Sequence, residues 1–155
     1  MNYRKAKIKD VSTIKKIAIR QSLFPYPTLI YATLACMGYL HIVEENDEIV
    51  GFICFCPMPL SADAFILQIC LKDTYQSKGL GKQILSKLCQ TLRKQFKITQ
   101  VWAHTLKERS LKFFKRQKWN PMLSIFNITL IRKNLDPHRQ DPQYPDPQYP
   151  DQDPQ

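Results

Sequence analysis

Between Ile69 and Lys82 the sequence reads ICLKDTYQSKGLGK: an aliphatic run, a polar loop, two glycines two positions apart, and the start of a long apolar-striped segment. Residue types in that order are the materials of an anion site. Backbone N–H groups at the beginning of a helix lack partners within it, and the helix dipole favours negative charge there. Gly79 and Gly81 permit positive φ and let a phosphate reach the main chain with no Cβ in the way. Lys78 and Lys82 add positive charge. The chain has only four glycines, at 38, 51, 79 and 81, so two of them in one turn carry weight. A lone G-x-G also occurs at ordinary helix starts. Two familiar phosphate loops are absent: there is no G-x-x-x-x-G-K-[ST], and no G-x-G-x-x-G followed by an acidic residue about twenty positions on.

Such a loop needs a strand before it and a helix after it, and the pattern supplies both. Ala64–Leu71 is apolar on both faces, as a buried strand is. Leu80, Ile84, Leu85, Leu88, Cys89, Leu92 and Phe96 form one wide stripe, which predicts a helix over Leu80–Phe96. Upstream, a short strand is expected around Tyr3, Ala6 and Ile8. A helix capped by Asp10 follows over Val11–Gln21, with Val11, Ile14, Ile17 and Ala18 on its inner face. Phe24-Pro25-Tyr26-Pro27 forces a break, and Thr28–Cys36 suits a second helix. Tyr39–Glu44 and Glu48–Cys56 read as a hairpin turned at Glu45-Asn46-Asp47, with Ile49–Cys56 central in the sheet. Downstream come a strand over Ile98–His104, an amphipathic helix over Lys107–Lys118 and a final strand region over Met122–Ile131. The fold class is α/β (α+β): a mixed, largely antiparallel sheet of about six to seven strands with helices on both faces.

Domain organisation follows composition. Residues 134–155 hold six of the eleven prolines, a repeated DPQYP unit, and no Val, Ile, Phe or Trp. A segment so poor in apolar surface is expected to be a disordered tail behind a domain over 1–133. The tail takes one Arg and five Asp, leaving 22 basic and 8 acidic residues in 1–133, a formal charge of +14. A field of that size favours anionic ligands, whether cofactor phosphates, RNA or an acidic protein, although a solvated basic surface has the same composition. No apolar run approaches the roughly 18–20 residues of a membrane helix. The start, MNYRKAKIKDVSTIKK, has no hydrophobic signal segment, so a cytoplasmic protein without membrane contact is expected. The cysteines, 36, 54, 56, 70 and 89, are odd in number, mostly inside apolar runs, and lack a C-x-x-C with partner histidines. That pattern fits buried reduced thiols, with no disulfide framework and no metal.

The strand, the loop and Gln76-Ser77-Lys78-Gly79-Leu80-Gly81 resemble the acetyl-CoA motif of the GCN5-related N-acetyltransferases, a hydrophobic strand followed by [RQ]-x-x-G-x-[GA] at the mouth of a helix. The element order matches that fold over roughly residues 2–131. The resemblance implies acetyl-CoA as cosubstrate, its pyrophosphate held by the backbone amides of 76–81. It also implies that pantetheine pairs like an extra strand with Ile69 and Leu71, where two strands splay. The cofactor-binding set is therefore Ile69, Cys70, Leu71, Gln76, Ser77, Lys78, Gly79, Leu80, Gly81 and Lys82. The chain departs from the family pattern later. Where Asn-x-x-Ala-x-x-Phe-Tyr and then Gly-Phe are common, it has Lys107, Ser110, Phe113, Phe114 and Lys118-Trp119. The Tyr hydroxyl usually taken to protonate the departing thiolate is missing at Phe114.

General acid assistance is typically worth about 10²–10⁴-fold, and a thiol of pKa about 8.5 leaves tolerably unaided, so this loss weakens catalysis on paper without excluding it. Tyr75, His104 and Tyr39 are substitute proton donors; Glu44, Glu45, His41 and His104 are candidate bases, each with an ordinary strand role as its alternative. Cys70 is expected in the core. The implied reaction moves acetyl to a primary amine, on a small molecule or a protein, by direct attack in a ternary complex. Two alternatives stand beside it: a catalytically degenerate fold that binds CoA only, and an RNA- or tRNA-directed protein. The latter rests on helix 107–118, where Arg109, Lys112, Lys115 and Arg116 share one side.

Overall fold

Ile49–Cys56 offers no polar face, and the chain places it accordingly. In the computed structural model, which describes residues 1–21, 25–125 and 128–136, this run lies within β3 (Glu48–Met58). Strand β3 sits between β2 (Leu40–Glu45) and β4 (Asp63–Leu71), antiparallel to both. Phe52, Ile53, Cys54 and Phe55 are fully buried. The hairpin closes through Asn46 and Asp47, both at positive φ, which these two residue types tolerate best after glycine. With β1 (Asn2–Lys5), β5 (Gln100–Thr105), β6 (Asn120–Ile125) and β7 (Ile128–Asn134), the sheet has seven strands in the order β1-β2-β3-β4-β5-β7-β6. Only the β4–β5 pairing is parallel.

Helices cover both faces. On one, α1 (Val11–Arg20) and α2 (Thr28–Cys36) bury Ile14, Ile17, Ala18, Tyr31 and Leu34 against Leu40, Ile42, Phe52 and Cys54. On the other, α3 (Leu80–Phe96) and α4 (Glu108–Arg116) bury Ile84, Leu88, Leu92, Leu111 and Phe114 against Ile53, Phe55, Val101, Ala103 and Ile131. The 3.6-residue stripes read from sequence are the buried faces.

Three expectations are corrected. The first strand ends at Lys5, and Ile8 stands exposed in a 3-10 turn, Ile8–Asp10. Asp10 does not cap α1: its carboxylate accepts the Lys7 N–H at 2.8 Å and pairs with Arg4 at 2.8 Å. The final strand region is two antiparallel strands, β6 and β7. Pro121 lies inside β6, an edge strand, where its missing N–H removes no essential ladder bond. Phe24 and residues 137–155, the bulk of the expected tail, lie outside the described residues; β7 ends at Asn134, and the Leu135 N–H donates to the Thr99 carbonyl at 2.7 Å.

Candidate active site

Strand β4 divides at its middle. Asp63–Ile66 pair with β5 as far as Ile66↔Ala103, and beyond that β5 pairs only with β7, through His104 and Thr105. The division coincides with a bulge: Cys54 faces Gln68 while Phe55 faces Ile66, so Leu67 is the extra residue. A bulge sharpens local twist and turns a strand away from its neighbour, which opens a cleft between β4 and β5. On the β3 side, the Lys72 N–H donates to the Val50 carbonyl at 2.8 Å. Because hydrogen-bonding direction alternates along a strand, Ile69 and Leu71 turn their N–H and C=O groups to the open edge. The Leu71 carbonyl accepts from Gln76 Nε2 at 3.1 Å. Ile69 keeps both groups free of partners among the described residues.

Gly51 makes this close β3–β4 packing feasible. A Cβ there would stand 2.5 Å from Leu71 Cδ2 and 2.6 Å from the Cys70 carbonyl oxygen. Sequence reasoning attached no role to it, because nothing local marks a close approach between strands.

The loop after β4 turns through a 3-10 segment, Asp73–Tyr75, into Ser77 (φ 61°) and Gly79 (φ 78°). Left-handed residues at alternate positions, 77 and 79, turn the N–H groups of this loop toward one side, forming a concave anion cradle. The first intrahelical bond is Gln83 N–H to the Gly79 carbonyl, so Ser77 through Lys82 have no N–H partner among the described residues. Gln76 differs from its expected place in that set. Its N–H is taken by the Asp73 carbonyl at 3.1 Å, and its side chain donates to Gln21 Oε1 at 2.7 Å as well as to Leu71. Gln76 is thus a brace that fixes the loop to α1 and β4. The space around Gly79 is empty within 4 Å. At Gly81 a Cβ would be 3.3 Å from the Phe113 ring, so this glycine serves the α3–α4 approach. Lys78 lies over the Tyr75 ring at 5.4 Å, and Arg109 of α4 donates to Ser77 Oγ at 3.3 Å, spanning the mouth.

These parts line one groove of about 1020 Å³ running from Gly79, Gly81 and Lys82 along Ile69–Leu71 to Ser110 and Phe114. The proposed proton carriers are scattered around it. Glu44 lies two strands away, bound by Arg4 at 2.5 Å and by Asn2, and the Arg4 guanidinium holds its carboxyl below the usual carboxylate range. Glu45 stands at the far end of the β2–β3 hairpin. His41 is buried, sharing Nδ1 with the Tyr3 hydroxyl at 2.8 Å. Tyr39 packs among Phe55 and Phe96, and Tyr75 packs against the α3-side core outside the groove lining. Cys70 is buried, and burial pushes its thiol up to about 12, which removes it as a nucleophile at neutral pH. His104 is placed differently. It is exposed, one residue beyond the last β4–β5 pair, with its ring stacked on Phe65 at 5.8 Å. It projects on the face opposite α3 and α4, alongside Trp102. Phe114, the position lacking a hydroxyl, is buried against Trp119 at 5.0 Å.

Among the described residues no group of three or more His, Cys, Asp or Glu could hold a metal, and no helix is long and apolar enough to cross a membrane.

Residues 12–119 match the sequence model of the acetyltransferase (GNAT) family. No curated protein matches the chain by sequence. Solved structures share the fold at low identity. The ribosomal-protein-S18-alanine N-acetyltransferase of Escherichia coli aligns at 14% identity with a TM-score of 0.76, over 92% of this chain and 99% of that one. YncA of Salmonella typhimurium, solved with its cofactor acetyl-CoA, aligns at 17% identity and 0.73, over 93% and 99%. PaiA N-acetyltransferase of Thermoplasma acidophilum, in complex with coenzyme A, aligns at 16% identity and 0.73, over 86% and 98%. The family match contains the bulged strand, the cradle and both helices that wall the groove, and the chain belongs to the acetyltransferase (GNAT) family.

Proposed function

We propose that the chain is an acetyl-CoA-dependent N-acetyltransferase that moves acetyl to a primary amine by direct attack in a ternary complex. The observation that carries this reading is the continuity of the groove: free N–H groups at one end lead directly to a free strand edge at Ile69. The N–H groups of Ser77–Lys82 suit a diphosphate, and Ile69 offers one donor and one acceptor to an amide of pantetheine. Two neighbours of the same fold hold coenzyme A or acetyl-CoA, which supports the ligand class.

The chemistry at the splay needs a deprotonated amine and a stabilised leaving thiolate. His104, on the exposed side of the cleft, accepts the amine proton directly or through one water. The amine nitrogen then forms a bond to the thioester carbonyl carbon, the C–S bond breaks, and CoA departs as thiolate. Free N–H groups on β4 polarise the carbonyl oxygen as charge develops on it. No hydroxyl stands at Phe114 to protonate the sulfur, and a leaving thiol of pKa about 8.5 tolerates that.

Calorimetry of the full chain with CoA and acetyl-CoA, followed by thiol release across a panel of amines, tests this reading. Binding with rapid amine-dependent thiol release is expected. CoA binding without turnover for any amine favours a second reading, a fold that retains the cofactor and has lost the reaction, which the buried Phe114 motivates.

A further inference from the structure

Beside the groove, α3, the end of α4 and β7 line a second, open cavity of about 400 Å³. Its charged lining is Lys82, Arg93, Arg116, Lys118 and Lys133, and no carboxylate shares it. The ion pairs of this protein are made by other cations: Arg4 with Asp10 and Glu44, Lys72 with Glu48, and Lys112 with Glu108. None of the five in the cavity has a carboxylate partner among the described residues.

One of them is held in place: Lys133 donates to the Gln117 carbonyl at 2.8 Å, which anchors its ammonium at the wall. Lys118 is exposed and sits at φ 60°, a left-handed backbone conformation that glycine would occupy freely. Beside Lys133, burial pushes the Cys89 thiol up to about 11, so the floor stays neutral and does not offset the cations. Like charges converging on a concave space raise its potential and favour an anion. The volume suits a small organic ligand, and Leu85 and Leu135 supply an apolar floor.

We infer that this cavity is a second anion site, for the diphosphate or triphosphate of a nucleotide-sized ligand, filled at the same time as the cofactor groove. Arg93, Lys118 and Lys133 belong to it alone, whereas Lys82 and Arg116 line both spaces.

The test is calorimetric titration of the full-length protein, saturated with CoA, using ADP and inorganic pyrophosphate at low and physiological salt. Both ligands bind the parent protein, and their affinity falls as salt rises. The double variant Arg93→Glu/Lys118→Glu weakens them at least about tenfold and Lys133→Met about threefold, while CoA affinity stays within about twofold. Thermal melts verify that the variants are folded; Lys118→Gly, which relieves the left-handed strain, replaces Lys118→Glu if the latter is not. The inference is overturned if neither ligand binds at physiological salt, if the variants bind as the parent does, or if CoA displaces both ligands. If CoA itself fails to bind, acetyl transfer falls, and the ADP and pyrophosphate titrations still decide this site.

Discussion

The groove and the sheet face beyond it are built from different materials. At the β4–α3 end of the groove the working groups are main-chain amides, held by two left-handed residues and a glutamine brace. Past the last β4–β5 pair, outside the groove lining, the candidate groups are side chains, Phe65, Trp102 and His104, on the sheet face opposite α3 and α4. A backbone site is specified by the residues that permit its conformation, so it shows in local spacing. A side-chain site depends on which strands become neighbours, and that is decided elsewhere in the chain.

The sharpest way to break the contrast is Gly79→Asp. The space there is empty, so the side chain fits, but the positive φ and the new charge both oppose a diphosphate. CoA affinity should fall roughly 1000-fold, about 4 kcal/mol, with α3 still folded by circular dichroism. Undiminished binding would mean that the amides do not hold the cofactor. Past the last β4–β5 pair, His104→Gln should lower kcat roughly 100-fold and leave CoA affinity unchanged. A change in CoA affinity alone would move His104 out of the chemistry.

Gly51→Ala probes the packing that serves both ends. Its Cβ would overlap Leu71 and the Cys70 carbonyl, and a loss of about 2 kcal/mol in chemical denaturation is expected. Phe114→Tyr should raise turnover by about two- to tenfold if thiolate protonation limits the rate; an unchanged rate shows that release or another donor governs it.

The smallest effect separates the framework from the site. Burial lowers the His41 pKa, so the folded state resists its protonation. If the Nε2–H donates to the Gly38 carbonyl, Nδ1 accepts from the Tyr3 hydroxyl, and a second proton disrupts that pair. The contribution is complete above about pH 6.5 and is lost as pH falls below it. The Asp10 pKa is lowered as well: burial pushes its carboxyl up, but the hydrogen bonds from Arg4 and the Lys7 N–H outweigh that, so its contribution is lost only below about pH 4. Between pH 7.5 and 5 the melting temperature should therefore drop by about 2–4 °C, and His41→Gln should flatten that slope.

What the sequence conveyed follows the same division. The apolar stripe of α3 and the two-faced run of β3 were legible because burial imposes a period on each. The resemblance to the acetyltransferases rested on Gly79 and Gly81, whose spacing reports backbone geometry. Glu44 has the residue type of a base, yet it is half of an Arg4 ion pair across forty positions, which no local pattern encodes. Its spacing sets Gln76 among the phosphate-binding amides, yet its partners are Asp73, Leu71 and the distant Gln21. The start of β6 at Asn120 is hidden because Pro121 reads as a breaker until the strand is known to be an edge.

By itself the sequence determined where helices and strands form and where a backbone cradle sits, since these depend on side-chain period, glycine and charge within a few residues. The tertiary structure alone decided that β4 leaves β5 after Ile66, that His104 stands exposed one residue past their last pair, and that five cations line one cavity. Those facts depend on register and on pairings between distant segments, and the free energy that fixes them belongs to the packed sheet as a whole.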